Sequence, residues 1–518
     1  MAEITRRSFF EGLFYEKETS RRLYINTNLG EFTPKLNRLQ VAHLLRRTSF
    51  SVSKDLLDLY TGRNASEIVD ILFDQADKNL NPTPPYFSGD RIRNPANLSG
   101  TQKKEEESKV NKHNGDYNYE LGEWWVKLMR ANNSGILEKM TLFWHGHFAS
   151  QFAVCPSIPA LMMYRQNDLL RKNYAGNLRT LLEKLTIDGA MLRYLNGAEN
   201  NSDSPNENYA RELMELFSIG VGNYSEQDIR EAAKILTGWK VTMFTDEGIP
   251  YEGYLNPINF DKNTKLFMGE VFNVNYEITQ QNVYENSVKK LISVLLNKKA
   301  KEAATFMSQK IYRFFVYANP EKTDKKVIDQ MAQLLLDNNF DTKPLLKTLF
   351  KSQHFFDDLN MGVQIKSPAE TLIGFTRHFV YNDRYVRNMM AVLGQELFNP
   401  PNVAGWKGYR SWISTKTLPQ TIYFLVDEIL ITFKNDALGE WIKSISEFDN
   451  PKKLVEGIAE LFFSRPLSPE RVIKFTNILL AGAPDYEWYD IVKNKEQAGL
   501  KVRVLLKEII KSPDYYLS

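Results

Sequence analysis

The chain has 518 residues, of which 43% are hydrophobic and 25% charged, and a net charge of +3. Such a composition suits a globular protein that buries one very large core or two to three domains, and the small net charge without a long basic run implies neither nucleic acid nor an anionic membrane surface as a partner. The single cysteine, Cys155, excludes an internal disulfide framework and a thiolate-cluster metal site, and no apolar run approaches the roughly 20 residues of a transmembrane segment.

The amino terminus carries Thr5-Arg6-Arg7-Ser8-Phe9-Phe10, similar to a twin-arginine export motif. The apolar region that should follow is replaced by Glu11, Tyr15, Glu16, Lys17, Glu18, Arg21 and Arg22, so residues 1–35 are expected to form an extended arm and a cytoplasmic location is favoured. A main helical domain is expected over 36–430. It opens with helices through LNRLQVAHLLRRTSFSVSKDLLDLYTG, where His43, Arg46 and Arg47 lie close together and His43 and Arg47 share a face. Residues 77–117 lack an apolar period and are rich in turn formers and charge, which predicts a partly disordered insertion or lid.

Helices resume with ELGEWWVKLMRAN and SGILEKMTLFWHGHFAS. Glu138 and His145, seven residues apart, share a helical face and could serve metal binding or acid–base work. His145 and His147 could reach one ion only if the helix stopped near Gly146. Further on, Ser204 is the expected N-cap of a helix, with Pro205 at its first position and Glu207 completing a capping box; Gly220 and Gly222 end it. Glu207, Arg211 and Glu215 then stack at i, i+4, i+8, flanked by Asn208 and Glu212, either as a solvated ion-pair row or as a covered site. Ser225 and Asp228 cap a second helix that runs to Gly238-Trp239. Around 241–279 aromatic, Asn and Gly residues predict a small irregular or β-hairpin insertion.

The second half returns to helices, with breaks at Asn319-Pro320, Asn338-Asn339 and Ser367-Pro368. Residues 345–356 resemble 505–516, so a C-terminal helical unit at 431–518 is expected to repeat the pattern of 310–358 and to pack on the main domain. Between them, residues 397–418 form a rigid loop containing Pro400-Pro401, Asn402, Trp406 and Trp412. It is either a structural plug or, exposed in a cleft, a platform for a sugar ring or other flat ligand. The predicted fold class is mainly α: a large multi-helix bundle-like fold with long loops.

HLLRRTSF (43–50), EKMTLFWHGHF (138–148), the long stretch Pro205–Trp239, IKSPAE (365–370) and PPNVAGWKGYRSWI (400–413) together resemble the bacterial family known as domain of unknown function 1800 over nearly the whole chain. The resemblance implies a protein often exported and often encoded beside a phosphatase- or sulfatase-like partner protein. A His-Asp-x-Gly-x-Lys element of the family stands here as Phe260-Asp261-Lys262-Asn263-Thr264-Lys265, without the His. Two readings follow. In the first, a hydrolase or transferase-like protein acts on a glycan or a phosphorylated or sulfated polymer. Its catalytic candidates are His145, Glu138, Glu207, Arg211 and Glu212, and its substrate-binding candidates are His43, Arg46, Asn206, Asn208, Trp239, Asn402, Trp406 and Trp412, with a divalent metal as a conceivable cofactor. In the second, a non-catalytic partner or scaffold protein uses the same polar motifs as a structural ion-pair network.

Overall fold

The computed structural model describes residues 24–131, 135–154, 157–245 and 250–518. The arginine pair at Arg6-Arg7, most of the expected N-terminal arm and Cys155 lie outside the described residues. The architecture is mainly α with two small antiparallel hairpins, and one continuous hydrophobic core runs from Leu29 to Tyr516.

The helix Gly135–His147 is buried on every side, with Ile136, Leu137, Met140, Leu142, Phe143 and Trp144 alongside a few polar residues, and it has no solvent face to offer. It is accordingly wrapped by the helices Arg38–Thr48, Ala65–Lys78, Asp116–Arg130 and Ala160–Lys172. Several of the surrounding helices start at strong local signals. Asn37 with Gln40, Ser225 with Asp228 and Ser367 with Glu370 all form capping boxes, the last with Pro368 at its first helical position.

Two expectations are corrected here. The segment 77–117 is ordered rather than partly disordered, and its charged run KKEEESKVNKHN forms the helix Gly100–Asn114. That helix has almost no apolar face and is held by polar groups. Glu106, 2% exposed, takes Arg93 and Lys109, while the buried His113 bonds Asp90 through Nε2 at 3.0 Å and meets Phe87 and Tyr117 edge-on. The second correction concerns Ser204, which does not cap a helix. The helix begins at Asn208, after Glu207, and continues as a π-helical turn over Leu213–Ser218. Neighbouring amides outcompete the serine for this role: Asn200 Oδ1 accepts the Asn206 N–H at 2.9 Å, and Asn206 Oδ1 accepts the Asn208 N–H at 2.9 Å, so the chain turns through Asx geometry instead.

The insertion at 241–279 is a pair of short hairpins as expected. Strand β1 (Trp239–Val241) pairs with β2 (Gly253–Leu255), with Trp239 opposite Leu255, and β3 (Lys265–Phe267) pairs with β4 (Glu270–Phe272). Met268 and Gly269 join the second pair with φ of 48° and 80°, the two left-handed positions that a type I′ turn demands. The FDKNTK element sits at this hairpin, where the Lys265 ammonium lies 3.5 Å from the Asp261 carboxylate and over the Phe260 ring.

The two stretches compared in sequence hold the helices Ala300–Phe315, Asp324–Asp337 and Thr342–Lys351, and the helices Pro451–Phe462, Pro469–Leu480 and Lys495–Lys511 with a short extra helix, Trp488–Ile491, before the last. Each ends near a buried aromatic pair, Phe355-Phe356 or Tyr515-Tyr516. Each also closes against an extended upstream segment, with Glu31 bridging Ser352 and Ile365 bridging Leu517.

Candidate functional site

The other four family-like blocks meet the second one on the helix Gly135–His147. Lys139, 2% exposed, donates to Ser49 O at 3.1 Å and to the Glu370 carboxylate at 2.5 Å, so it ties the first block to the fourth. His145 Nε2 accepts the backbone N–H of Phe398 at 3.0 Å, at a residue whose φ of 62° needs outside support. Gly146 lies beneath the tryptophan loop so closely that a Cβ on Gly405, itself at φ 74°, would stand 1.9 Å from Gly146 O. His147 Nε2 donates to Phe217 O at 3.1 Å and so reaches the third block.

Glu138, next to Lys139, points elsewhere. Its carboxylate accepts Arg171 Nε and Nη2 at 2.8 and 2.9 Å and Trp125 Nε1 at 2.7 Å, a bidentate charged pair with both partners buried. Glu138 and His145 thus share a helix but not a site. His145 is enclosed by Trp125, Phe398 and Trp406, with ring centroids 5.3, 5.3 and 5.5 Å away. Burial pushes both the His145 and the His147 imidazole down to about 3, so each is neutral at pH 7. The two imidazoles face different partners, and among the described residues no three His, Cys, Asp or Glu side chains gather closely enough to hold a metal ion.

The remaining predicted residues fall into four other places. Glu207, Arg211 and Glu215 form a surface row, not a covered one. Arg211 is 34% exposed and is clasped by Glu226 of the next helix at 3.0 and 2.9 Å, with Glu207 at 3.2 Å and Glu215 at 3.8 Å. The Glu226 hydrogen bonds raise its guanidinium pKa further. Glu212 is half-buried, and burial, with Glu215 adding, raises its carboxyl. Asn206 and Trp239 line a small enclosed pocket with Thr186, Asn200 and Tyr209, whereas Asn208 Nδ2 is spent on Leu195 O at 3.2 Å.

On the first helix, His43 Nε2 bonds Phe355 O at 3.1 Å under the Phe355 ring, and burial holds its imidazole well below the usual range. Arg46, 5% exposed, donates to Glu460 O at 2.5 Å, and burial lowers its guanidinium to about 10. In the tryptophan loop Asn402 is exposed and accepts the Ala404 N–H at 2.9 Å, Trp406 is half-buried over Gly146, and Trp412 is half-buried. Of the predicted residues, Arg46 alone lines the groove of about 510 Å³ between the first helix and Pro451–Phe462.

Lys139, Arg171 and Glu370 were not singled out from the sequence, although Lys139 carried a signal. A lysine inside the otherwise apolar run KMTLFW has no solvent face and must find a carboxylate or carbonyls.

These observations define a mainly α-helical protein whose polar blocks converge on one buried helix. The chain belongs to the family described as "Protein of unknown function (DUF1800)", which its residues 43–517 match. No curated protein and no solved structure matches it. No helix among the described residues is long and apolar enough to cross a membrane.

Proposed function

We propose that the protein is a non-catalytic partner or scaffold whose polar motifs hold the helical framework in register. One observation carries this reading: Glu138, the carboxylate best suited by sequence to acid–base work, is 2% exposed and fully engaged by Arg171 and Trp125. A group sealed in that way braces helices and has no face left for a substrate. The family resemblance supplies the finer expectation that the protein braced in this way serves a phosphatase- or sulfatase-like partner.

The competing reading, hydrolysis or transfer on a glycan or a phosphorylated or sulfated polymer, keeps one foothold. Glu212 is half-buried with a raised carboxyl beside Tyr194, whose hydroxyl donates to Gln151 Oε1 at 3.0 Å, and Gln151 in turn reaches Pro400 O of the tryptophan loop. A panel of phosphate monoesters, sulfate esters and glycosides separates the two. The scaffold reading expects no turnover by the wild type and lower unfolding temperatures for Glu138→Gln and His145→Ala. Wild-type turnover that disappears in Glu212→Gln or Glu207→Ala at unchanged unfolding temperature would overturn it.

A further inference from the structure

The enclosed pocket beside the third family-like block has a volume of about 10 Å³. Five residues bring polar groups to its wall: Thr186 at the end of the helix Leu178–Thr186, Asn200 and Asn206 of the polar loop, Tyr209 of the block itself, and Trp239 at the start of β1. Alkyl groups make up the rest, and no charged side chain lines it. Thr186, Asn200, Tyr209 and Trp239 are all buried, so the pocket lies inside the protein.

The polar wall can be accounted for proton by proton. Thr186 Oγ1 donates to Leu182 O at 2.7 Å, so across its 2.9 Å contact with Tyr209 it accepts the tyrosine proton, and the Tyr209 oxygen is left as an acceptor. Asn200 gives Nδ2 to Ala233 O at 2.8 Å, while its Oδ1 takes the Asn206 N–H at 2.9 Å and keeps a second lone pair. Trp239 Nε1 is the exception. An indole N–H can only donate, and this one is buried with no acceptor among the described residues. The wall thus offers one donor in need of an acceptor and two oxygens able to accept.

We propose that this pocket binds a single water molecule, which accepts from Trp239 Nε1 and donates to Tyr209 Oη and Asn200 Oδ1. One water needs roughly 10–15 Å³ and two to four polar partners, and both conditions are met. An ion of either sign would lie there without a counter-charge on the wall. The water ties β1 to the third block and to the polar loop before it, so Asn206 and Trp239 share a solvent site in the interior. This assignment is independent of the scaffold reading.

The test is diffraction from crystals of the full chain at a resolution that shows ordered solvent. The wild type should give one solvent peak in the pocket, about 2.7–3.2 Å from Trp239 Nε1. Trp239→Phe keeps an aromatic ring and removes the donor, so the peak should weaken or vanish. If that variant does not fold, the wild-type crystal decides alone. A wild-type pocket without a peak, Nε1 bonded directly to a protein oxygen, or a peak undiminished in Trp239→Phe overturns the proposal.

Discussion

The Glu138–Arg171 pair offers the sharpest test of the framework reading. Glu138→Gln keeps the volume and one acceptor, so Trp125 Nε1, now at 2.7 Å from the carboxylate, can keep its bond. The charge is lost, and an amide N–H₂ is turned toward Arg171 Nε or Nη2, which now sit at 2.8 and 2.9 Å from the two oxygens. Arg171 is 0% exposed and cannot swing into water. Removing one partner of such a pair costs about 3–5 kcal/mol because the survivor stays charged and unpaired. With about 2.1 cal/mol/K of unfolding entropy per residue, a chain of this length loses roughly 3–5 °C in unfolding temperature. Replacing both partners, Glu138→Leu with Arg171→Met, removes the stranded charge and should recover most of the loss, with only Trp125 Nε1 left unsatisfied at about 1–3 kcal/mol. Differential scanning calorimetry of the wild type, both singles and the double completes the cycle. If Glu138→Gln melts within about 1 °C of the wild type, or if the two single losses simply add in the double, the pair does not brace the helices and the reasoning fails.

Acid should destabilise the protein through its buried histidines. His145 and His147 are held at about 3 against about 6.5 in the unfolded chain, so their stability contribution is complete above pH 6.5 and is lost as pH falls from there toward 3. Unfolding free energies from urea titrations between pH 7 and 5 should fall accordingly, and His147→Gln should flatten that fall by about 1 kcal/mol per pH unit; an unchanged slope would mean that His147 is not held neutral. Gly405→Ala combines φ 74° with a Cβ 1.9 Å from Gly146 O, so the loop must shift, and limited proteolysis should cut residues 397–418 faster than in the wild type. Arg211→Ala, by contrast, removes partly exposed pairs worth about 1 kcal/mol or less, which salt should reduce further; a loss of several kcal/mol would show that the row is buried in an assembly. Ser225→Ala should cost about 1 kcal/mol by removing one half of a capping box, measured by the same calorimetry.

What could be read from the sequence was what is local in it. Helical class, the Ser225–Asp228 cap and the hairpins around 241–279 depend on residues a few positions apart, where periodicity and turn chemistry speak directly. The Ser204 cap failed because a rival lay equally close: Asn200 and Asn206 satisfied the amides first. The helix Gly100–Asn114 was missed because its order comes from Glu106 and His113 meeting Arg93 and Asp90, while its own apolar period is nearly absent. The candidate site was legible only as a set of polar residues in unusual places. Their partners are remote: Arg171 is 33 residues from Glu138, Glu370 is 231 from Lys139 and Phe398 is 253 from His145.

That remoteness leaves the motifs open, in the sequence, to a catalytic reading as much as to a structural one. A polar residue planted in an apolar helix must be met by something, and sequence alone does not distinguish a substrate from another stretch of the same chain. For Gly135–His147 the need is acute, because apolar contact is non-directional and a helix buried on every side can be rotated or slid without losing much of it. Polar pairs remove that freedom. A turn of 100° about the axis would carry Glu138 away from Arg171, strand the Lys139 ammonium without Glu370, and leave the Phe398 amide with no acceptor. Lys139 and Glu138 fix one end of the helix toward the first and fourth blocks and the Ala160–Lys172 helix, while His145, Gly146 and His147 fix the other toward the tryptophan loop and the Phe217 turn. A set of residues that pins one helix against five separate segments gives each segment a defined place in the fold. The tryptophan loop, with Asn402, Lys407 and Arg410 on its exposed side, is the segment it holds out to solvent.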